Sequence, residues 1–548
     1  MTMRRLKWVL CFVIVTAMFA VEGAFYLDVG SPWRRYAGLF WILCSAGVIL
    51  SAWTYAFAPF FGREFWARPY RAWYFFAFFL PPVLILFNGG GIRFTGVDSE
   101  GLQQLGAGLY LIHHDPSFGV YRMSYFTYLA RQYILNCLPS FVFGPSLWAA
   151  RVGNSMFYIG AYLFFLSALA SYFREKREAQ GLLLTGYCGA MIALGQYTLV
   201  NARKFEQTTM PIGITLFFMA ALILFLIRPG PLRFLWVTWA FGFFPDCYTP
   251  ALGILGLALV ILLYFIVRRR IWVFVPTVIF GVLSVYIAFR IVKHEDPSTL
   301  SGKFKVGIDE FTAQDWVLRY LHGARAVFGS DFTLIPAPLG LLLFAAVYLC
   351  WRYREYRYAA VCAWAVAAVF VSLTFVGSNL NFPFHDVHRA MVIIPPLTLG
   401  AILLVIRHLS AVPDPQAASG HFRFFMKMSM VYMAFTGVGT AFMVRDFFAT
   451  GVINDTDEAY AKLSELMNSP TAARPKQIYL VPPLDIDLER GLGYFSPDTK
   501  VVRSAPPAGE RNPGTYVFSY INKDPEARFD DQVVPSRHPH PYLKMAEE

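Results

Sequence analysis

Charged residues are scarce in this chain. Of its 548 residues only 15% are charged, whereas 57% are hydrophobic and 18% are aromatic. Soluble globular domains contain about 25% charged residues, and disordered chains contain few aromatic ones. The composition therefore excludes a disordered chain, a coiled coil and an ordinary soluble enzyme, and it predicts an integral membrane protein.

Closely spaced cysteine pairs are also missing. The chain has seven cysteines, which are spread through apolar stretches, and none of them forms a C-x-x-C pair. Structural zinc sites and disulfide-stapled domains need such clustering. The pattern excludes both and is typical of cysteines that act as small buried hydrophobic residues.

Ionisable residues are nearly absent from the apolar runs. Asp246 is the main exception, and its neighbour Pro245 favours a turn at the membrane edge. Proton- and ion-coupled transporters normally carry acids or bases at mid-membrane. The two halves of the chain also show no matching pair of broken helices. These absences weigh against a coupled transporter.

The net charge is +12, which in a soluble protein would suggest nucleic-acid binding. In a membrane protein, Lys and Arg accumulate in cytoplasmic loops instead. Basic clusters lie before the first apolar run and after alternate ones, at 4–7, 63–71, 174–177, 268–270 and 352–357. We therefore predict a cytoplasmic N-terminus, an external C-terminal segment and no nucleic-acid partner. A cleaved signal peptide over residues 1–26 is an alternative that leaves this sidedness unchanged.

Long apolar runs are what the sequence has in abundance. Because about 20 apolar residues cross a bilayer core of about 30 Å, the chain contains roughly thirteen candidate spans. They cover residues 8–26, 36–58, 72–88, 152–173, 181–199, 209–227, 234–245, 249–267, 271–290, 333–351, 358–376, 390–406 and 424–446. The sequence thus predicts an all-α polytopic membrane domain over residues 1–446, with external loops at 89–151 and 291–332.

The remaining segment, 447–548, is more polar and has a different pattern. A helical pattern runs from Thr456 to about Met467, and β-type runs follow at 478–481, 501–503 and 516–520, with Pro- and Gly-rich turns between them. We predict a small extracytoplasmic α/β domain whose last residues form a flexible end.

The second external loop contains a helix signal of its own. Thr312-Ala313-Gln314-Asp315 has the form of a capping box, and apolar residues recur after it at helical spacing. This predicts an amphipathic helix that lies at the membrane interface.

Two acidic residues lie at the start of the first external loop. Asp98 and Glu100 directly follow the glycine run 89–91, which ends the third span. Carboxylates at the mouth of a helix bundle are suited to act as a base or as metal ligands. The alternative is that Asp98 or Ser99 caps the next helix and Glu100 favours its dipole.

A motif further along the same loop indicates a family. The segment 142–151 reads VFGPSLWAAR at the start of a span, after an amphipathic stretch and a proline-containing run. With Asp98 and Glu100 before it, this order resembles the GT-C superfamily of membrane glycosyltransferases. It is most similar to the protein O-mannosyltransferase and aminoarabinose lipid A transferase branch, in which the segment has the form L-F-G-x-S-x-x-A-x-R. The basic turn at 201–206 and the segment 385–396 resemble further elements of that branch.

The resemblance implies a fold, a location and a reaction. It implies a GT-C-like inner-membrane enzyme of the cell envelope that moves a sugar from a polyprenyl-phosphate donor, with inversion. The acceptor would be a glycan, a lipid or a protein on the external face. Asp98 and Glu100 would be the catalytic carboxylates, with Asp98 as the base, and the donor phosphate would be bound by Arg203, Lys204 and Arg389. Such cations stabilise the charge that forms on a leaving phosphate.

Several of these residues have structural alternatives. Arg203 and Lys204 sit where helix ends place interfacial basic residues, and Arg389 has Asp386 nearby for an ion pair. No cofactor is certain from the sequence, although a divalent metal ion is an option, with the histidines at 113–114, 385 and 388 among the residue types that bind metals. We expect Arg151 to bind a carbonyl or an acid inside the fold.

The sequence is also compatible with two other functions. A transporter or flippase of a lipid-linked sugar would need a polar path through the spans. A non-catalytic membrane subunit would keep the fold and lack activity, and the spacing Asp-Ser-Glu, where the family has adjacent Asp-Glu, keeps this option open.

Overall fold

The structure of the protein, a computed structural model, describes part of the chain. It describes residues 3–27, 33–58, 78–79, 82–83, 85, 138–143, 147–175, 209–243, 312–314, 317, 416, 419–420, 423, 427, 477–480, 500–502, 515–520 and 543–547. Predicted spans outside these ranges, and with them the count of thirteen, stay predictions.

Among the described residues, six helices have continuous bounds, and five of them overlap predicted spans. Their bounds are α1 Met3–Leu27, α2 Trp33–Phe57, α3 Leu138–Phe143, α4 Leu147–Glu175, α5 Thr209–Ile227 and α6 Pro231–Phe243. The exception is the six-residue α3, which lies in the predicted external loop 89–151. α6 begins three residues before the predicted span 234–245 and ends two residues before its end. Helical positions at 78–79, 82–83 and 85 fall within the predicted third span, and those at 313–314 and 317 fall at the predicted capping box.

Helix α4 contains a segment that is long enough to cross a membrane. Among the described residues, its segment Arg151–Phe173, of 23 residues, is long and apolar enough to cross a membrane. Shorter apolar segments lie in α2, at Leu43–Phe57, and in α5, at Ile212–Phe225.

A tight turn joins α5 to α6. Pro231 is the first residue of α6, where the missing N–H of proline costs no hydrogen bond. The Gly230 carbonyl accepts the first intrahelical bond, from Phe234 N at 2.9 Å. Arg233 Nη1 donates to the carbonyls of Leu224 and Arg228 at 2.8 Å each. The Leu224 carbonyl also accepts a bond from Arg228 N at 3.1 Å, whereas Arg228 lies just beyond the end of α5, where helix carbonyls lack intrahelical partners.

Two tryptophans of α6 bind two serines of α2. Trp236 Nε1 donates to Ser51 Oγ at 2.8 Å, and Trp239 Nε1 donates to Ser45 Oγ at 3.1 Å. Ser51 Oγ donates in turn to the Val48 carbonyl at 2.7 Å. Because residue numbers rise along α6 as they fall along α2, the two helices are antiparallel.

In contrast, α4 runs in the same direction as α2. Gly160 lies directly against the indole of Trp53. Further along both helices, Ser167 Oγ donates to the Ala56 carbonyl at 2.9 Å. Consecutive spans are predicted to cross the membrane in opposite directions. Because one predicted span lies between α2 and α4 in the sequence, these two helices are expected to be parallel.

α5 is parallel to α4 as well. The ring of Phe157 lies beside Gly213, and the rings of Phe164 and Phe217 lie 4.9 Å apart between centroids. The relative directions of α2, α4, α5 and α6 therefore agree with the predicted order of the second, fourth, sixth and seventh spans.

Basic side chains gather at one end of this bundle. The rings of Trp8 and Phe234 lie 5.7 Å apart, which brings the start of α1 to the α5–α6 turn. Exposed Arg5, Lys7 and Arg228 therefore lie at the same end. The positive-inside rule favours this end as the cytoplasmic one, in keeping with the predicted orientation.

The described part of the tail forms a four-stranded sheet. Its strands are β1 Gln477–Leu480, β2 Lys500–Val502, β3 Thr515–Tyr520 and β4 Leu543–Glu547. The order is β2-β1-β3-β4, with β1 parallel to β2 and to β3, and β4 antiparallel to β3. The connecting segments 481–499 and 503–514 are long enough for the crossovers that parallel strands require.

The sheet confirms three predicted strands and corrects one prediction. The runs at 478–481, 501–503 and 516–520 match β1, β2 and β3 to within one residue. The flexible end predicted for the tail is wrong over Leu543–Glu547, which pairs with β3. The helix expected at 456–467 lies outside the described residues, and the tail as a separate external domain stays a prediction.

Candidate functional site

The five predicted site residues lie outside the described part of the chain. These are Asp98, Glu100, Arg203, Lys204 and Arg389. The histidines considered as metal ligands, at 113–114, 385 and 388, lie outside it too. Their roles stay predictions, and the described geometry bears on the site through Arg151, the last residue of the family-like segment 142–151.

Arg151 is a buried cation inside α4. The sequence predicts it at the boundary between the external loop 89–151 and the span 152–173, bound to a group inside the fold. The structure places it in the second turn of α4, with 2% of its surface exposed. Burying a guanidinium is costly unless its charge is compensated. Arg151 makes interactions within the protein.

Further polar residues follow Arg151 along one face of α4. Asn154, Ser155, Tyr158 and Tyr162 are 1%, 4%, 1% and 1% exposed. At 100° per residue, these positions and Arg151 fall on a single side of the helix. We call these five residues the α4 polar stripe, which extends about 16 Å along the helix axis.

The same face becomes apolar beyond Tyr162. The next positions on it are Phe165, Leu166, Leu169 and Phe173, which are buried, and Tyr172, which is half-buried. The polar stripe is therefore confined to the N-terminal half of α4, the half that the predicted topology places toward the outside.

The opposite face of α4 packs tightly against α2 and α6. Gly160 lies against Trp53, and the ring of Phe164 lies 5.0 Å from the ring of Trp236, at 79°. These contacts and the polar stripe lie on opposite sides of the helix. The packing thus holds α4 firmly while the stripe faces the other way.

The chemistry of the stripe suits anion binding. Arg151, Asn154 and Ser155 are each engaged in interactions within the protein. The Tyr158 hydroxyl has no hydrogen-bond partner among the residues that the structure describes. The stripe contains a permanent cation and several donors but no carboxylate. It can therefore bind negative charge, whereas a catalytic base has to come from elsewhere.

A metal centre is not formed by the described residues. Within them, no group of three or more His, Cys, Asp or Glu side chains comes together. The divalent ion considered from the sequence would need ligands from residues outside the described ranges.

Two solved structures with a similar fold are both structures of ArnT from Cupriavidus metallidurans. ArnT from Cupriavidus metallidurans bound to undecaprenyl phosphate aligns with 85% of this chain over 97% of its own length, at a TM-score of 0.52 and 12% identity. The fold is ArnT-like. The apo state of ArnT aligns over the same shares at a TM-score of 0.48 and 14% identity. No protein-family model matches the sequence, and no curated protein matches it.

The ArnT-like fold supports two expectations from the sequence. The chain has a GT-C-like fold, and such a fold is that of a polytopic membrane protein. The O-mannosyltransferase part of the resemblance stays a prediction.

Sequence reasoning missed most of the stripe. It gave Arg151 a structural role and assigned nothing to Asn154, Ser155, Tyr158 or Tyr162. A usable signal was present, because polar residues recur at i, i+3, i+4, i+7 and i+11 from Arg151 inside an otherwise apolar span.

Proposed function

We propose that this chain is a membrane glycosyltransferase that moves a sugar from a polyprenyl-phosphate donor to an acceptor on the external face. The observation that carries the proposal is the ArnT-like fold, because it extends over nearly the whole of a protein that binds undecaprenyl phosphate.

The proposed step is a single displacement. The acceptor hydroxyl oxygen bonds to the anomeric carbon, and the bond from that carbon to the phosphate oxygen breaks. The electron pair leaves with the polyprenyl phosphate, and Asp98 takes the hydroxyl proton as general base. One displacement inverts the anomeric centre.

The leaving group determines what other residues are needed. A phosphate is a weak base and needs no acid catalyst, but its charge must be stabilised as the bond breaks. We assign this task to Arg203, Lys204 and Arg389, with Glu100 as a second carboxylate beside the acceptor. The acceptor is a glycan, a lipid or a protein that presents a hydroxyl group.

The direct test is sugar transfer by the purified chain in lipid nanodiscs with a polyprenyl-phosphate sugar. We expect Asp98→Asn to lower the transfer rate about 10²–10⁴-fold, because it removes the base and keeps the side-chain size. Asp115→Asn, which makes the same charge change in the same loop, is the matched control and should transfer at the parental rate.

The other outcomes separate the alternatives. Full activity in Asp98→Asn would remove the base assignment. Movement of the lipid-linked sugar across the bilayer without transfer would favour a flippase, and neither activity would favour a non-catalytic subunit.

A further inference from the structure

The start of α1 carries two exposed basic side chains. Arg5 and Lys7 are both exposed and lie within the first five residues of the helix. One residue after Lys7, Trp8 packs against Phe234 of α6, with ring centroids 5.7 Å apart. This contact holds the start of α1 against the bundle, so the two basic side chains lie at a defined place on its surface.

The α5–α6 turn adds positive charge at this end of the bundle. Arg228 is exposed and Arg233 is half-buried. Among the side chains that the structure describes at this end, every charged one is basic. Because Arg228 and Arg233 also make interactions within the protein, Arg5 and Lys7 are the two side chains best placed to bind a ligand.

An exposed apolar face follows the two basic residues along α1. Its members are more than half exposed and fall on one side of the helix at 100° per residue: Leu6, Val9, Leu10 and Val13. We call these four residues the α1 apolar face. Exposed apolar surface of this kind marks contact with a membrane or with another protein.

The positive charges lie at one end of this face. Leu6 stands between Arg5 and Lys7 in the sequence, so the two basic side chains flank the first residue of the α1 apolar face. Side chains on a helix lean toward its N-terminus, and long basic side chains extend toward the membrane surface. Arg5 and Lys7 therefore place their charges beyond the apolar face, at the level of a lipid headgroup.

This arrangement matches an anionic phospholipid. A headgroup phosphate accepts charge-assisted hydrogen bonds from Arg and Lys, and acyl chains can cover the α1 apolar face. The positive-inside rule favours this end as the cytoplasmic one, and the cytoplasmic leaflet carries anionic lipids that attract basic segments beside a helix. A soluble anion would leave the apolar face uncovered, and a neutral lipid would make no use of the positive charge.

We infer that Arg5 and Lys7 bind the headgroup of an anionic phospholipid whose acyl chains lie on the α1 apolar face. The residues predicted at 98–100, 203–204 and 389 belong to external segments, so this lipid site is separate from them and does not depend on the proposed function.

The test measures lipid binding by the full chain in detergent micelles, with native mass spectrometry as the readout and phosphatidylglycerol as the probe. The parent chain should bind phosphatidylglycerol more tightly than phosphatidylcholine with the same acyl chains. We expect the double variant Arg5→Gln with Lys7→Gln to raise the Kd for phosphatidylglycerol about tenfold or more, because each basic residue near an anionic headgroup contributes about a fivefold gain in affinity. Its Kd for phosphatidylcholine should not change.

Two further variants control for net charge and for charge type. Lys500→Gln with Lys544→Gln makes the same charge change in the tail sheet, in β2 and β4, and should keep the parental Kd. Arg5→Lys with Lys7→Arg keeps both charges and should also keep it. Because Arg5 and Lys7 are exposed, the melting temperature of each variant without added lipid should match that of the parent.

Four outcomes would overturn the inference. The first is an equal Kd of the parent chain for the two lipids, and the second is an equal rise in Kd in the tail variant. The third is binding of glycerol phosphate, which has no acyl chains, as tightly as phosphatidylglycerol. The fourth is a dimer that carries no lipid, because a second copy of the chain would then cover the α1 apolar face. Sugar transfer is not measured here, so none of these outcomes bears on the proposed function.

Discussion

Glycines determine how closely α4 approaches its neighbours. A β-carbon at Gly160 would overlap the indole of Trp53, and one at Gly213 would lie 2.9 Å from Phe157 Cε1. Gly47, in α2, has open space at the same position. Small residues that let helix backbones approach closely are typical of membrane helix packing.

The three glycines predict a graded series of stabilities. Gly160→Ala should destabilise the protein by about 1–3 kcal/mol, because a packed indole has to move. Gly213→Ala should cost less, since its β-carbon meets the edge of one ring. Gly47→Ala is the control and should be neutral or stabilising by up to about 1 kcal/mol.

Thermal unfolding of the three purified variants in detergent measures this order. Trp53→Phe in the Gly160→Ala background should recover part of the loss, because the smaller ring leaves space for the new methyl group. Equal melting temperatures for Gly160→Ala and Gly47→Ala would contradict the close approach of α2 and α4.

Pairs of helices are joined by side-chain hydrogen bonds as well as by aromatic packing. Tyr55 Oη and Ser171 Oγ, 2.8 Å apart, connect α2 to α4. The ring of Tyr55 also lies edge-on to Phe164 and Trp236, with centroids 6.1 Å and 5.8 Å away. Tyr55 thus contacts both α4 and α6.

A double-mutant cycle on Tyr55→Phe and Ser171→Ala should isolate this bond. We expect a coupling free energy of about 0.6 kcal/mol and at most about 1.7 kcal/mol, the range found for hydrogen bonds between membrane helices. The measurement is the unfolding free energy of the single and double variants.

Thr54→Val combined with Ser171→Ala is the control cycle. Thr54 Oγ1 donates to the Leu50 carbonyl of its own helix at 2.8 Å, so its coupling to Ser171 should be close to zero. Equal coupling in both cycles would mean that the Tyr55 effect is not specific to the α2–α4 contact.

Over the whole molecule, the alternation of helix directions predicts the side of each connection. The α5–α6 turn lies at the end that carries Arg5, Lys7 and Arg228, and the tail is predicted on the other side. A cysteine in place of Gly230, which has open space around it, reports the side of the α5–α6 turn. A cysteine in place of Ser504 reports the side of the tail.

In a background without native cysteines, we expect Gly230→Cys to react with a membrane-impermeant maleimide only after the cells are opened. Ser504→Cys should react in spheroplasts. The same accessibility for both cysteines would show that an even number of crossings separates the turn from the tail and would refute the predicted sidedness.

Much of the helical framework was predictable from local properties of the sequence. Apolar length determines whether a segment crosses a membrane, so four predicted spans agree with α1, α2, α4 and α5 to within a few residues. β4 was not predictable, because Leu543–Glu547 combines Lys, Met, Ala and Glu without alternation. Its strand depends on pairing with β3, and β-propensity is weaker than such context.

The predicted site depends on both the sequence and the tertiary structure. The family-like order of Asp98, Glu100 and the segment 142–151 is a sequence property that needs no coordinates. The sequence also predicts that Arg151 binds a carbonyl or an acid inside the fold, and its side chain is buried in α4. Which segments cover that side of α4 depends on the tertiary structure.

The sequence by itself determined the membrane class, the positions of the long helices and their alternating directions, because hydropathy and charge act on each segment separately. Helical spacing places Tyr158 on the same face as Arg151, but it does not say which segments cover that face. Only the tertiary structure decided that the opposite face of α4 packs against Trp53 and Trp236, because these contacts join segments far apart in the sequence.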